Sequence, residues 1–252
     1  MYNPLDLSGK LILVTGASSG IGRATAIVLS RMGAQLILTG RRADALEETI
    51  TATDNHERHL CSPFDLTKLD EIPKWLAEVV GSTGTQLDGV VHCAGIARNL
   101  PLRAVSSGNI ESVMVTNVHS VLMLLRAATA RKVAAPTGMS IVLISSAAAL
   151  VALPGLATYS ASKAALNAIA RCSAKELAEK RVRVNCIVPA YVTTPMLDGA
   201  VNALTDLKRI EQRQFLGLIE PEEIGIMAAY LLSSAARSIT GAQFVMDGGF
   251  SL

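Results

Sequence analysis

Cysteine is scarce in this 252-residue chain, and its copies, Cys61, Cys93, Cys172 and Cys186, are scattered with no CxxC pair. A disulfide scaffold is excluded, and reduced, buried thiols fit a cytoplasmic protein. Aromatic residues make up only 4% of the chain, so a binding cleft here is built mainly from aliphatic side chains. Neither charge sign dominates: 23 basic and 21 acidic residues are interspersed, for a formal net charge of +2. No sequence-wide field gathers phosphate backbones or anionic lipid, so neither nucleic acid nor membrane is an expected partner. Met1 to Lys10 has no basic region followed by an apolar one, so it does not read as a secretion signal, and the mature chain is expected to begin there. The stretch Val133 to Ser162 carries no charge and is long enough to cross a bilayer. Pro136, Gly138, Pro154 and Gly155 break it, and Ser140, Ser145, Ser146, Ser160 and Ser162 need partners that hydrocarbon does not offer. It reads as a buried strand followed by a polar, tightly packed loop.

What is present is apolar material, 50% of the residues, enough to exclude a disordered chain. Continuous Val/Ile/Leu runs at Leu11 to Thr15, Leu36 to Thr39, Gly89 to His92, Ile141 to Ile144, Val182 to Val188 and Gln243 to Met246 read as strands buried on both faces. A weaker strand is expected near His59 to Pro63. Helical patterns lie between them at Ile21 to Met32, Ala43 to Thr51, Leu69 to Val80, Ser107 to Arg131, Thr158 to Lys180 and Pro221 to Leu232. Alternating strands and helices predict an α/β fold, a doubly wound parallel sheet with helices on both faces. No linker or repeat divides the chain, so one domain over residues 1–252 is expected. Thr193 to Glu220 is the least regular region, and its place after the sixth main strand allows either a substrate lid or an ordinary pair of surface helices.

The first strand runs into Thr15-Gly16-Ala17-Ser18-Ser19-Gly20-Ile21-Gly22, which opens a helix. Glycines there permit a tight turn and close approach to a pyrophosphate, and the helix start presents free N–H groups. The residues expected to contact a dinucleotide are Gly16, Ser18, Ser19, Gly20, Ile21 and Gly22. The missing GK[ST] ending disfavours triphosphate chemistry. An NAD site places an acid about 20 residues further on, to bind the ribose 2′-hydroxyl. This chain instead reads Thr39-Gly40-Arg41-Arg42, and two guanidiniums suit a 2′-phosphate. NADP(H) is therefore expected over NAD(H), with Arg41 the principal contact and Arg42 a second.

Further on, Tyr159 and Lys163 stand four residues apart on one helical face. A phenol is a sluggish proton donor or base at neutral pH, and a nearby cation favours its ionised form. Ser145 and Ser146 end the strand Ile141 to Ile144, where a hydroxyl faces the carboxyl edge of the sheet.

These residues resemble the short-chain dehydrogenase/reductase family from Gly9 to Gly249. The TGxxxGxG segment is Thr15 to Gly22, the YxxxK segment is Tyr159 to Lys163, and Ser146 lies 13 positions before the tyrosine. Asn117 falls where the family has its fourth active-site residue. The resemblance implies a Rossmann-like sheet of about seven strands, and a hydride passing between nicotinamide and a carbonyl carbon. It also implies roles: Tyr159 as acid or base, Lys163 lowering the tyrosine pKa and holding the nicotinamide ribose, and Ser146 bonding the substrate oxygen. Asn117 would distort its helix to hold a water. On the same basis Asp65 and Leu66 would contact the adenine side, and Ala94 and Gly95 would line the cofactor. Pro189, Val192 and Thr194 would bind the carboxamide and phosphates. Two departures stand out: Cys93 where the family has the asparagine of an Asn-Ala-Gly turn, and Ala190 where Pro-Gly is usual.

No metal is expected, since His56 and His59 lie in a polar stretch without a third ligand. Cys93 is disfavoured as a nucleophile because the adjacent His92 should face the other way along a strand. The leading reading is an NADPH-dependent reductase of a ketone, and the closing Asp-Gly-Gly resembles bacterial-type 3-oxoacyl thioester reductases. Sugar, steroid and small-alcohol enzymes of the family share these features. From another class, an idle NADP-binding sensor or assembly protein is an alternative that retention of Ser146, Tyr159 and Lys163 opposes. A sugar-nucleotide epimerase or dehydratase is disfavoured for want of a substantial C-terminal substrate domain. The resemblance implies a homotetramer.

Overall fold

The structure is a computed structural model that describes residues 3–197 and 212–252. Seven parallel strands form one sheet: β1 (Leu11–Thr15), β2 (Gln35–Thr39), β3 (Leu60–Cys61), β4 (Gly89–His92), β5 (Met139–Ile144), β6 (Val182–Pro189) and β7 (Gln243–Met246). Their order is β3-β2-β1-β4-β5-β6-β7, so the chain reverses its direction of winding between β1 and β4. At such a switch point the crossovers diverge and leave a crevice beyond the carboxyl ends of the strands. In register, Thr15 of β1 is level with His92 of β4, so the two strands end side by side beneath that crevice, both residues buried.

Among the described residues the α-helices are α1 (Gly20–Arg31), α2 (Ala43–Thr51), α3 (Ile72–Ser82), α4 (Ser107–Met114), α5 (Ser120–Ala128), α6 (Ala157–Glu176) and α7 (Pro221–Leu232). Two apolar clusters fill the two sides of the sheet. One contains Leu13, Val90, Ile141 and Val184 with Leu76, Val121 and Leu166 of α3, α5 and α6. The other contains Val14, Val91, Val142 and Ile187 with Leu29, Leu46 and Ile224 of α1, α2 and α7. Successive residues of one strand enter opposite clusters, which is why the strand sequences are apolar throughout. Every residue of β1 is buried, and each such aliphatic side chain contributes about 1.5–3 kcal/mol over its exposed state.

Three expected helices differ in detail. The pattern Ser107 to Arg131 is one helix in period but is interrupted by a π-helical stretch, Val115–His119, between α4 and α5. The pattern beginning at Leu69 opens as a 3-10 turn, and α3 proper starts at Ile72, one residue before Pro73. A proline fits there because first-turn N–H groups have no helical partner. The long helix ends at Glu176 rather than Lys180, followed by a 3-10 turn and Arg181 in the left-handed region at φ 55°. Ala190 needs no such conformation, so replacing glycine there leaves the backbone unstrained.

Of the expected lid 193–220, residues 198–211 lie outside the described residues. The two ends of the segment meet. Thr193 N–H donates to Ile219 O at 2.9 Å and Ile219 N–H to Tyr191 O at 3.2 Å. The buried Gln214 carboxamide accepts from Tyr191 N–H and donates to Tyr191 O and Gly217 O. No helix among the described residues is long and apolar enough to cross a membrane.

Candidate active site

The glycine turn is main chain packed on main chain. Gly16 lies at φ 65°, and a Cβ on it would sit 2.8 Å from Ala94 N, while one on Gly22 would overlap the Gly16 carbonyl oxygen. Ser19, the N-cap of α1, makes no side-chain cap bond, so the first N–H groups of α1 remain available to an anion. A groove of about 510 Å³ runs beside the turn past Ser18, Ser19, Gly20 and Arg42. Thr194 comes over Gly20 from the β6 side, its Cγ2 lying 3.2 Å from where a Cβ would stand. Bare backbone, uncapped N–H groups and a flanking groove fit a dinucleotide diphosphate.

At the end of β2 both Arg41 and Arg42 are exposed. Arg42 Nη2 donates to Ser18 O at 3.4 Å, which brings it back toward the turn. Asp65 Oδ1 accepts the Thr67 N–H at 3.0 Å and hydroxyl at 2.8 Å. These bonds, with smaller contributions from Arg41 and Lys68, hold its carboxyl below the usual range. The Leu66 side chain is buried in the core, leaving only its main chain for a ligand.

A cleft of about 750 Å³ brings together Ile21, Gly95, Ser146, Tyr159, Lys163, Pro189, Val192 and Thr194 from five separate stretches of sequence. Ser145 and Ser146 divide their work. Ser145 is buried, with its N–H on Ile187 O and its hydroxyl on Lys163 O at 3.1 Å, so it fastens α6 to the sheet. Ser146 accepts from Ala148 N–H at 3.2 Å and lines the cleft together with Tyr159.

Lys163 is 5% exposed, donates to Ile144 O at 2.8 Å and lies 5.7 Å from the centre of the Tyr159 ring. Burial depresses its pKa to about 8. The expected lowering of the Tyr159 pKa by Lys163 is not what the structure shows. Desolvation raises it, and the opposing influence is the Ser146 hydroxyl, because the ammonium is directed at the Ile144 carbonyl.

Asn117 occupies the π-helical stretch and is completely buried. Its Oδ1 accepts Ile96 N–H at 2.8 Å, and its Nδ2 donates to Ile96 O at 2.9 Å and to Ser162 Oγ at 3.0 Å. Ser162 in turn donates to Tyr159 O at 2.7 Å. A Cβ on Gly95 would meet both Asn117 Oδ1 (3.3 Å) and Lys163 Nζ (3.5 Å), so this glycine is where the two approach each other. The helix distortion expected at Asn117 is present, and the carboxamide itself serves the Ile96 loop.

Several residues were not foreseen. Thr15 Oγ1 accepts Ala94 N–H at 3.2 Å and bonds His92 Nδ1 at 3.0 Å, tying the Cys93–Gly95 turn to β1. His92 is buried, which drives its pKa down to about 3 and keeps it neutral. Phe250 lines the cleft edge-on to Tyr191, with ring centres 5.3 Å apart. Asp247 curls that tail by accepting from Gly249 N–H and Ser251 N–H, both at 2.9 Å. An aromatic residue beside a Gly-Gly pair was the available signal for Phe250, and it is weak. Burial holds the Cys93 thiol up at about 12, so it is a poor nucleophile. His59 spends both ring nitrogens on main chain, near Leu36 N and Asp54 O.

A family model described as Enoyl-(Acyl carrier protein) reductase matches residues 16–251. Dehydrogenase/reductase SDR family member 6 of Rattus norvegicus is 29% identical over 251 residues, covering 98% of this chain and 99% of that protein. The 3-oxoacyl-acyl-carrier-protein reductase of Thermotoga maritima is 30% identical over 249 residues, covering 97% and 99%. The solved structure of a short-chain type dehydrogenase/reductase from Mycobacterium ulcerans superposes with a TM-score of 0.90 at 30% identity, over 98% of this chain and 91% of that one. With its glycine turn and its Ser146, Tyr159 and Lys163 on one cleft, the chain belongs to the short-chain dehydrogenase/reductase family, oxidoreductases that work between carbonyl and alcohol with a nicotinamide cofactor.

Proposed function

We propose that this protein is an NADP(H)-dependent reductase of a ketone, acting on a 3-oxoacyl thioester or a similar aliphatic carbonyl compound, as one catalytic domain assembled into a homotetramer in the cytoplasm. The observation that carries the reading is the convergence of Ser146, Tyr159 and Lys163 on one largely aliphatic cleft that opens beside the glycine turn. The 3-oxoacyl relative supports the substrate class, and Arg41 and Arg42, with no acid in that turn, support the 2′-phosphate.

Tyr159 acts as the proton donor in reduction. Its raised pKa keeps the phenol protonated at neutral pH, ready for an oxygen that becomes basic as the carbonyl is reduced. Ser146 donates to the same oxygen and so stabilises the developing alkoxide. Lys163, fixed on the Ile144 carbonyl 5.7 Å from the centre of the Tyr159 ring, would hold the nicotinamide ribose beside the phenol. A nicotinamide cofactor held along Gly16 to Gly22 would supply the hydride when bound. Asn117 fixes Ile96 and, through Ser162, the first turn of α6, keeping the three side chains in register.

The test is NADPH oxidation with a panel of ketones. Tyr159→Phe should lower kcat by about a thousandfold or more while leaving NADPH binding in place, and undiminished turnover would overturn the mechanism. Arg41→Ala should weaken NADPH more than NADH, by about tenfold or more for a lost charge-assisted contact. An equal loss for both cofactors would overturn the NADP assignment.

A further inference from the structure

The cleft has a charge asymmetry that the reduction itself does not require. Its lining includes no aspartate or glutamate among the described residues, and its cations are Lys163 and Arg98. Lys163 is committed to the Ile144 carbonyl beneath Tyr159. Arg98 is exposed on the cleft wall and has neither an ion pair nor a hydrogen bond among the described residues. Arg23, Arg183 and Arg213 are engaged, on Glu48 and Thr49, on Leu231 O and against the Phe250 ring, whereas Arg41 and Arg103 among others have no partner among the described residues; what sets Arg98 apart is its place in the cleft lining.

Arg98 also stands at a fixed place. Two residues before it, the Asn117 carboxamide holds Ile96 by both N–H and C=O. Two residues after it, Leu100 N–H donates to Gly155 O at 2.8 Å, fastening the loop to the turn that precedes α6. The loop bearing Arg98 is thus anchored at one end to the Asn117 network and at the other to the turn that leads into Tyr159. Between Arg98 and the reacting groups the walls are mostly apolar, including Ile96, Leu153 and Leu156. A guanidinium without a partner among the described residues, at the rim of an aliphatic cleft, is suited to an oxyanion that the substrate carries away from its reacting carbonyl.

We propose that Arg98 is a specificity-determining residue that receives an anionic group of the substrate, a carboxylate of an oxo acid or a phosphate of a thioester carrier. The proposal rests on the ketone-reductase reading above and narrows its substrate class to anions.

The experiment compares kcat/KM for matched pairs under NADPH: 3-oxobutanoate against its methyl ester, and 3-oxobutanoyl coenzyme A against the N-acetylcysteamine thioester. The first pair reads a carboxylate and the second a phosphate. At least one pair should favour the anion by about tenfold or more, mainly through KM. The ratio should fall to about one in Arg98→Gln and recover in part in Arg98→Lys. Raising the ionic strength of the wild-type assay should erode the same ratio, which keeps the test independent of how the variants fold. Ratios near one in the wild-type enzyme, or a preference unchanged in Arg98→Gln, would overturn the proposal alone. Turnover of neither partner in both pairs, with NADPH binding intact, would overturn the reductase reading and this proposal with it.

Discussion

The glycine turn and the cluster around Lys163 are the two halves of the same site, and they are built by opposite means. The turn is backbone against backbone, where Gly16 and Gly22 allow the chain to touch Ala94 and its own preceding carbonyl. The cluster is buried polar side chains: an ammonium, a carboxamide and hydroxyls joined by hydrogen bonds between α6, the π-helical stretch, β5 and the Ile96 loop. The first half stabilises the fold by close packing. The second half contains groups that the fold must hold against the cost of burying them.

The largest effect expected from breaking this contrast is at Gly22. Gly22→Ala would force a methyl group into the Gly16 carbonyl, where only backbone could yield, and should cost about 3 kcal/mol or more. Denaturant unfolding reads that loss directly, and a cost below about 1 kcal/mol would mean that the turn is less tightly packed than the structure has it. Next comes Asn117→Ala, which leaves the half-buried Ile96 N–H and C=O and the buried Ser162 hydroxyl each without one partner. About 2–3 kcal/mol should be lost, and hydrogen exchange at the Ile96 amide should speed up more than at β1.

The smallest effect has the opposite sign and sharpens the comparison. Lys163 has its pKa depressed from the ordinary 10.5 to about 8 by burial, so below about pH 8 the folded protein bears the full cost of a buried cation. One unit is worth about 1.4 kcal/mol, so the gross cost is about 3 kcal/mol. Lys163→Met removes that cost but strands the Ile144 carbonyl, for a net gain of about 1–2 kcal/mol at pH 7. Between the two pKa values the unfolded chain binds more protons than the folded one, so wild-type stability rises with pH there. The advantage of the methionine variant should therefore shrink from pH 8 upward and be gone above pH 10.5. An advantage that is flat across that range would show that Lys163 carries no burial penalty. The same variant should lose turnover, because the group that costs stability is the one that serves Tyr159.

β1 and β4 were readable because burial on both faces writes apolar runs directly into the sequence; β7 begins and ends where its pattern does but is an edge strand with no fully buried residue, so its expected burial on both faces does not hold. The glycine turn and the Tyr159–Lys163 pair were readable because each is a local constraint, a backbone that excludes Cβ or two side chains one helical turn apart. The π-helical stretch was not readable, since one wider turn shifts the apolar period of Ser107 to Arg131 too little to interrupt it. Nor was the early end of α6, because Arg181 takes the left-handed position where glycine is the usual signal.

By itself the sequence determined the order of strands and helices, the uncovered backbone at Gly16 to Gly22, and the residue types available for proton transfer. Tertiary structure alone decided that Ser145 turns to the Lys163 carbonyl while Ser146 faces the cleft, and that Asn117 grips Ile96. It also decided that Thr15 reaches His92 across the switch point and that Phe250 folds back into the wall. The physical reason is range. Periodicity and backbone freedom act over a few residues, whereas these partners lie many positions apart and meet only when the crossovers bring β1, β4, β5 and α6 to one edge of the sheet.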